Sequence, residues 1–398
     1  LLSIFSGVVV TSFIFIFSDI IATIFKIPEL SELLKILCFI FPFALINLTL
    51  LGLLNGLRKM KSYAIANILQ SIITLFVTIP LIYFGFRAAG AVIGLLISSA
   101  VTSIYLLYTN RIHIKRITED LKSNMNKILQ FGLRVLGAGS LSEINNQLDV
   151  VMIGLFLFSA DVGYYSVAII LSRFFWIIPS AFQTITYPAT SSYWREKNYL
   201  KLNVMYNKSV KYCTAILIGI ALGLVFFGPY FINLFFNKDF AVSILPLQIL
   251  LVGTVIRGGL VQPIGGALCG AGKPGLDLKI TFVTVIMNGI LNAVLIPFLG
   301  IEGAAIATTI SIISSTFLSL YLTINLLKIK FDYKWFVKCL FITIFCVLLY
   351  SLISKYTSLI ISGIIILVLY CLYVLLFLTE KEDLLLMRNL FIRELRRD

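Results

Sequence analysis

The chain has 398 residues, of which 60% are hydrophobic and 13% are charged, and its mean hydropathy is +1.02. A soluble domain of this composition would have too few polar side chains to cover its surface. The formal net charge of +14 would also suit a nucleic-acid-binding protein. However, the Lys and Arg residues stand between apolar runs, as in proteins whose membrane orientation is set by charge. The composition therefore predicts a polytopic membrane protein and argues against a nucleic-acid partner.

Apolar runs of about 20 residues, the length that a membrane-spanning helix needs, recur along the whole chain. Strands of a β-barrel would be about half as long and would alternate in polarity, so helices are favoured. We therefore expect an all-α polytopic membrane protein with about twelve transmembrane helices. The predicted spans cover residues 1–25, 33–56, 64–84, 89–109, 128–158, 162–187, 210–236, 241–270, 276–299, 303–327, 335–354 and 359–378.

The linkers between the predicted spans alternate sharply in charge. One set contains about two dozen Lys and Arg residues, including those of 110–127, 194–209 and the tail 381–397, and the other contains about four. Because basic linkers stay on the cytoplasmic side, we expect the first set to be cytoplasmic, together with Leu1 and the C-terminal tail.

Spans one to four and spans seven to ten are similar in sequence. Asn55-Gly56 corresponds to Cys269-Gly270, and Gly90-Ala91 corresponds to Gly303-Ala304. One helix of each set also carries a polar stripe at matching positions. The stripes are Asn67, Gln70, Thr74 and Thr78 in the first set and Thr281, Thr284, Asn288 and Asn292 in the second. The repeat predicts two homologous bundles in parallel orientation, a MATE-like architecture in which two helices are expected to precede Leu1.

Three regions follow from this repeat. Residues 1–127 are expected to form an incomplete N-terminal bundle of four spans and a cytoplasmic linker. Residues 128–328 are expected to form a C-terminal bundle of six spans. Residues 329–398 would add two further spans and a basic cytoplasmic tail.

The predicted span over 128–158 carries one polar face. A charge at the centre of a membrane helix costs about 2.5–3.5 kcal/mol on insertion scales, so such a face is expected to line a bundle interior or a watery cavity. At about 100° per residue, the residues that fall within roughly 60° of Asp149 are Arg134, Ser142, Asn145 and Asn146, whereas Glu143 and Gln147 lie off this face.

Three arginines, Arg134, Arg173 and Arg257, lie well inside predicted spans. The planar guanidinium group suits phosphate and carboxylate oxygens. We therefore predict that these arginines, with Asn145 and Asn146, line a cavity for an anionic cargo such as a lipid-linked pyrophosphate. Alternatively, each arginine pairs with an acid or a backbone carbonyl, or extends to the membrane interface.

Asp149 is the best-placed acid inside a span. With Glu143, it is a candidate for coupling transport to H⁺ or Na⁺, and the alternative role of Asp149 is that of counter-ion to an arginine. Thr74, Asn288 and Asn292 on the repeated stripes are assigned to the substrate cavity, where they would bond sugar hydroxyls. The alternative for these stripes is contact between helices.

Sequence motifs of enzymes and metal centres are missing. The chain has no P-loop, no GxSxG and no HExxH motif. The six cysteines lack the spacing of metal ligands, and His113 is the one histidine. We therefore expect a transporter that is not an enzyme and has no cofactor, apart from coupling to H⁺ or Na⁺.

Short patches along the chain carry a family resemblance. One set is FGLR (131–134), NNQLDVVMIGLFLFSADVGYYSVA (145–168) and IIPSAFQTITYPATSSYWRE (177–196), and a second set lies in 53–67, 266–280 and 287–311. These patches resemble the polysaccharide-biosynthesis branch of the multidrug/oligosaccharidyl-lipid/polysaccharide (MOP) exporter superfamily, the Wzx-type flippases. The resemblance covers essentially the whole chain and implies two helical bundles around a central cavity.

The resemblance further implies a flippase in a bacterial or archaeal cytoplasmic membrane. Such a protein would move an undecaprenyl-pyrophosphate-linked oligosaccharide (an O-antigen, capsule or exopolysaccharide repeat unit) by alternating access, driven by an ion gradient. The implied partners are this lipid-linked oligosaccharide and membrane lipid, for a monomer associated with polysaccharide polymerase machinery. Alternatives are a multidrug/cation antiporter or a lipid II flippase of the same superfamily, and a membrane-bound polysaccharide ligase or polymerase.

Overall fold

The computed structural model of the chain describes residues 2–57, 59–116, 140–265, 268, 273–355 and 357–379. Within these ranges the regular secondary structure is helical, with no β-strand. The chain divides into two compact units, Leu1–Val135 and Leu136–Asp398. The predicted all-α membrane architecture is therefore confirmed, and each unit is described by itself.

The described part of the first unit contains five α-helices. They are α1 (Leu2–Phe25), α2 (Glu29–Leu37), α3 (Ile40–Gly56), α4 (Met60–Leu81) and α5 (Arg87–Arg116). Helices α2 and α3 are bent by 41° relative to each other, and the two together are long and apolar enough for one span. Between α4 and α5 the chain turns at Ile82–Phe86, where Gly85 has a φ of 93°. An L-side chain disfavours this left-handed region, which explains why glycine stands at the turn.

Polar contacts hold the helices of the first unit together. Asn47 on α3 donates from Nδ2 to the carbonyl oxygen of Ser99 on α5 at 3.0 Å, and Ser103 Oγ donates to Asn47 Oδ1 at 2.7 Å. All three residues are buried. Because lipid is as apolar as a leucine side chain, packing and hydrogen bonds of this kind associate membrane helices more than the hydrophobic effect does.

The second unit contains eight α-helices among the described residues. They are α6 (140–156), α7 (Ser159–Arg173), α8 (Ile177–Arg195), α9 (Tyr199–Phe235), α10 (Ile244–Leu260), α11 (Pro274–Leu327), α12 (Tyr333–Ile353) and α13 (Leu359–Tyr373). Helix α10 lies at the centre and packs against α7, α9 and α11, while α12 and α13 pack against α9. Tyr370 on α13 donates to the carbonyl oxygen of Ala215 on α9 at 2.7 Å.

Helix α11 is too long for a single crossing. Its 54 residues would extend about 80 Å at about 1.5 Å per residue, against a hydrocarbon core of about 30 Å. Gly300, with φ 60° and ψ −141°, breaks it into two parts. These parts correspond to the predicted spans 276–299 and 303–327, which form a hairpin like that of α4 and α5.

In the described part of the chain, eight helices are long and apolar enough to cross a membrane, or nine when the bent pair α2 and α3 is included. Two of these segments, Met60–Arg111 and Gly275–Leu327, each hold two of the predicted spans. Residues 128–139 of the predicted span 128–158 lie outside the described residues, so the number twelve stays a prediction.

Candidate functional site

Asp149 on α6 is the centre of a buried polar cluster in the second unit. Its residue surface is 0% exposed. Its Oδ1 accepts hydrogen bonds from Asn288 Nδ2 at 2.8 Å and from Asn292 Nδ2 at 2.9 Å. Its Oδ2 accepts from Thr308 Oγ1 at 2.6 Å and from the hydroxyl of Tyr165 at 3.2 Å. We call these five residues the Asp149 cluster.

The fold explains how three helices meet at this carboxylate. Asn288 and Asn292 are four residues apart on α11 and therefore share one helix face. The hairpin at Gly300 returns the chain alongside them and places Thr308 on the same side of the carboxylate pocket. Tyr165 reaches the site from α7 and is fully buried. Sequence reasoning missed Tyr165 and Thr308. The only sequence signal for them is that each places a polar group within an otherwise apolar predicted span.

The Asp149 cluster contains four donors to one carboxylate, a set that satisfies an ionised carboxyl group. One acceptor is left over, because Asn292 Oδ1 is buried without a hydrogen-bond partner among the described residues. A buried polar atom without a partner is costly, so this oxygen is available to a proton donor or a cation. The cluster thus contains a buried carboxyl group and, on Asn292, a buried amide oxygen that has no partner among the described residues.

A polar cavity of about 420 Å³ lies next to this cluster, entirely within the second unit. Arg173 and Arg257 both line it, and Thr308 belongs to both the cavity wall and the Asp149 cluster. Other residues of its wall are Ser142, Asn145, Asn146, Trp176, Thr281, Thr284 and Ser315. We call it the arginine cavity.

Neither cavity arginine forms a salt bridge in the part of the chain that the structure describes, although the charge of Asp277, which lines a smaller cavity with Arg257, acts on Arg257 at longer range. Arg173 donates to the backbone carbonyl of Asn146 at 3.4 Å, and Arg257 donates to Ser315 Oγ at 3.3 Å. Both are long hydrogen bonds to neutral acceptors, so most of the five donors of each guanidinium remain available.

Arg173 stands at a change of helix type. It ends α7, and Phe174–Trp176 then form a single 3₁₀ turn before α8. Pro179 near the start of α8 explains the turn, because proline has no N–H to continue the regular hydrogen-bond pattern. In a 3₁₀ turn the side chains three residues apart are superposed, so Arg173 and Trp176 are presented to the same wall.

A smaller polar cavity of about 180 Å³ shares Arg257 and Gln262 with the arginine cavity. Its wall also includes Gln183 and Asp277. Gln262 Nε2 donates to Gln183 Oε1 at 2.9 Å, which ties the turn after α10 to α8. Arg257 therefore faces polar space on two sides.

The structure brings together some of the predicted site residues. Asn145, Asn146, Arg173 and Arg257 line the arginine cavity, and Arg134 lies outside the described residues. Asn288 and Asn292, predicted to line the substrate cavity, instead point into the Asp149 cluster. Their stripe runs along α11 and meets different surroundings along its length. Thr281 and Thr284 line the arginine cavity, whereas Asn288 and Asn292, on the next two turns, contact Asp149 on α6.

Two further predicted residues lie elsewhere. Glu143 is exposed and accepts a hydrogen bond from Gln147 at 3.1 Å, away from the Asp149 cluster. Thr74 belongs to the first unit, where its hydroxyl donates to Ser98 Oγ at 2.9 Å. That bond joins α4 to α5, which is the contact between helices that the sequence left open as the alternative for this stripe.

A family model described as "Polysaccharide biosynthesis protein" matches residues 1–245 of this sequence, which is more than half of the chain. The chain belongs to this family. Over 187 residues it is 28% identical to a protein of Haloferax volcanii described as "Probable low-salt glycan biosynthesis flippase Agl15". That match covers 47% of this chain and 39% of the relative, so the chain spans well under half of the relative's length.

Solved structures of two transporters share the fold. The lipid II flippase MurJ in an inward closed conformation matches with a TM-score of 0.73 and 18% identity, over 93% of this chain and 81% of MurJ. An inward-facing multidrug resistance MATE family transporter of the MOP superfamily matches with a TM-score of 0.65 and 20% identity, over 82% and 79%. The expected MATE-like fold is confirmed. The proteins named here are flippases and transporters, in agreement with the expectation that the chain is not an enzyme.

Proposed function

We propose that this chain is a flippase that moves an undecaprenyl-pyrophosphate-linked oligosaccharide across the cytoplasmic membrane by alternating access. The observation that carries this proposal is the arginine cavity, in which Arg173 and Arg257 face one polar space and neither forms a salt bridge with a described residue. Family membership and the flippase name of the Haloferax relative support the same activity.

The chemistry of the cavity favours a phosphorylated cargo. A guanidinium buried in a membrane protein is costly unless an anion or several acceptors surround it. A pyrophosphate supplies many strong acceptors, and an arginine can bind two of them at once. Arg173 and Arg257 would bind the pyrophosphate of the cargo, while the asparagines, threonines and serines of the wall would bind its sugar hydroxyls.

We infer that the Asp149 cluster is the site at which H⁺ or Na⁺ couples to transport. The cluster combines one buried carboxylate with a neutral, unpartnered oxygen on Asn292. A proton would bind to the carboxylate alone. Na⁺ would be held by the carboxylate and by neutral oxygens of the surrounding amides and hydroxyls, which are the ligands that hard cations prefer.

Helix α6 links the two sites. It carries Asp149 and, one turn earlier, Asn146, whose carbonyl oxygen accepts the bond from Arg173. A cation that neutralises Asp149 weakens the hydrogen bonds from α7 and α11, because hydrogen bonds to a charged acceptor are stronger. The resulting shift of α6 would move the acceptor of Arg173 and so change the affinity for the phosphate.

A multidrug/cation antiporter would have a different cavity. Positively charged drugs are recognised by acidic and aromatic side chains, whereas Arg173 and Arg257 would repel them. Lipid II is the second candidate cargo, because the fold of the lipid II flippase MurJ matches over most of both chains. Both cargoes are lipid-linked pyrophosphates in chemical terms. We place the protein in a bacterial or archaeal cytoplasmic membrane with its C-terminus in the cytoplasm.

The test is complementation of a strain from which the gene is deleted. The double substitution Arg173→Ala and Arg257→Ala is expected to abolish surface polysaccharide, because both phosphate-binding groups are lost. Arg195→Ala is the matched control, since Arg195 is exposed at the end of α8. Normal surface polysaccharide in the deletion strain would refute the proposed cargo. Arrest of peptidoglycan synthesis in that strain would assign lipid II instead.

Coupling is tested in proteoliposomes with an imposed gradient of H⁺ or Na⁺. Asp149→Asn is expected to remove the dependence of flipping on the gradient, because the amide accepts no proton and lacks the negative charge that would hold Na⁺. Asp239→Asn is the control, since Asp239 is exposed in the turn before α10. Unchanged gradient dependence in Asp149→Asn would exclude this site as the coupling site.

A further inference from the structure

Two residues of the arginine cavity carry buried polar atoms that have no hydrogen-bond partner among the described residues. They are Asn145 Oδ1 and Trp176 Nε1. One is an acceptor and the other is a donor. Buried polar atoms in native proteins are almost always paired, so each unpaired atom calls for an explanation.

The positions of these residues relate both atoms to Arg173. Trp176 follows Arg173 by three residues in the 3₁₀ turn, so the indole and the guanidinium are presented to the same wall. Asn145 directly precedes Asn146, whose backbone carbonyl accepts the hydrogen bond from Arg173. An unused acceptor and an unused donor therefore belong to the same stretch of wall as this arginine.

This combination does not suit a phosphate alone. The oxygens of a fully ionised phosphate only accept hydrogen bonds, so they have nothing to donate to Asn145 Oδ1. A sugar hydroxyl or acetamido group both donates and accepts, and it can therefore satisfy Asn145 Oδ1 and Trp176 Nε1 together. The flat indole also offers apolar area to one face of a sugar ring.

We propose that Trp176 and Asn145 bind the sugar ring attached directly to the phosphate that Arg173 holds, and so select glycosylated lipid carriers over bare ones. This inference rests on the proposed function, because it takes a lipid-linked phosphate as the ligand. It adds that the cavity recognises the first sugar through specific hydrogen bonds. The empty carrier, which has the same phosphates and the same lipid, would then bind less tightly after the sugar has been transferred.

The experiment compares two probes on the full chain in lipid nanodiscs. One probe is undecaprenyl pyrophosphate, and the other is undecaprenyl pyrophosphate carrying a single N-acetylated sugar. The wild-type protein is expected to bind the glycosylated probe more tightly. Trp176→Phe keeps the aromatic ring and removes only the N–H, and Asn145→Ala removes the acceptor. Each is expected to weaken binding of the glycosylated probe by about two- to tenfold, the effect of one lost hydrogen bond, and to leave the bare probe unchanged.

Trp194→Phe is the matched control, because Trp194 packs against Tyr199 and does not line the arginine cavity. If Trp176→Phe weakens both probes equally, or weakens neither, sugar recognition is overturned while the proposed flippase stands. If the wild-type protein binds neither probe, the flippase proposal fails and this inference fails with it. Trp176→Phe is a conservative change, so this variant alone tests sugar recognition if Asn145→Ala does not fold.

Discussion

The hairpin of α4 and α5 in the first unit and the two parts of α11 in the second unit are repeats of one design. Each reverses direction at a glycine with positive φ, Gly85 at 93° and Gly300 at 60°. In each, a second glycine follows within a few residues and lets the returning helix approach the first closely, Gly90 in one and Gly303 in the other. The scaffold of the repeat is therefore kept in both units.

The polar stripes on these two hairpins make different contacts. In the first unit Thr74 bonds to Ser98 across the hairpin. At the matching position of the second unit stands Asn288, which together with Asn292 and Thr308 bonds to Asp149 on α6. In both units the repeat therefore supplies a pair of helices with a row of polar side chains between them. A carboxylate delivered by a third helix converts that row into a candidate ion site in the second unit.

The largest effect is expected from removing that carboxylate. Asp149→Ala leaves four donors from α7 and α11 without their acceptor, which should lower the free energy of unfolding by about 3–5 kcal/mol. The check is the thermal unfolding midpoint of the purified protein in one detergent, with Asp239→Ala as the exposed control. A midpoint equal to that of the control would mean that the cluster is not a stabilising centre.

Matched glycine substitutions compare the two hairpins next. A Cβ on Gly303 would lie 2.7 Å from the carbonyl carbon of Leu295, which is backbone and cannot move aside. A Cβ on Gly90 would have more room, with the Cβ of Leu81 at 3.0 Å and backbone atoms of Leu81 and Ile82 at 3.2 Å. Gly303→Ala should therefore destabilise by about 2–3 kcal/mol and Gly90→Ala by about 1 kcal/mol. Equal shifts in the unfolding midpoint would contradict the expectation that the two helices approach each other more closely at Gly303 than at Gly90.

The smallest effects come from one substitution made in each row of polar side chains. Thr308→Val loses a hydrogen bond to a carboxylate, which should cost about 1.5 kcal/mol. Thr74→Val loses a bond between two hydroxyls, worth about 0.6 kcal/mol in membrane proteins. The same unfolding assay measures both, and gradient-driven flipping separates them further, since only Thr308→Val alters the proposed ion site. A larger loss of unfolding free energy in Thr74→Val than in Thr308→Val would contradict this expectation.

Sequence periodicity placed much of the candidate site. The helical phase of the predicted span around Asp149 put Ser142, Asn145 and Asn146 on one face, and these residues line the arginine cavity. The same phase set Glu143 and Gln147 off that face, and in the structure they bond to each other along the exposed side of α6. Rotation about a helix axis is a local property, so it can be derived from spacing alone.

Sequence periodicity could not show which helix or cavity each part of a polar stripe contacts. Thr281 and Asn288 share one stripe on α11, yet the first lines the cavity and the second bonds to Asp149. Tyr165 lies on α7, the helix that also carries Arg173, and it donates to the carboxylate of Asp149 on α6. The spacing of polar residues along either helix does not reveal this contact. Which helix faces a given turn depends on how the bundle packs, and that information is not periodic in the sequence.

Hydropathy, helix length and residue spacing are properties of each segment alone, so they were enough to predict a helical membrane protein with an internal repeat. They also identified Asp149, Arg173 and Arg257 as charges that are costly in lipid. The packing of the helices, in contrast, encloses Asp149 with four neutral donors and places the two arginines on the wall of a cavity. The physical reason is that the cost of a buried charge demands a partner, but the identity of the partner follows from which helices pack together.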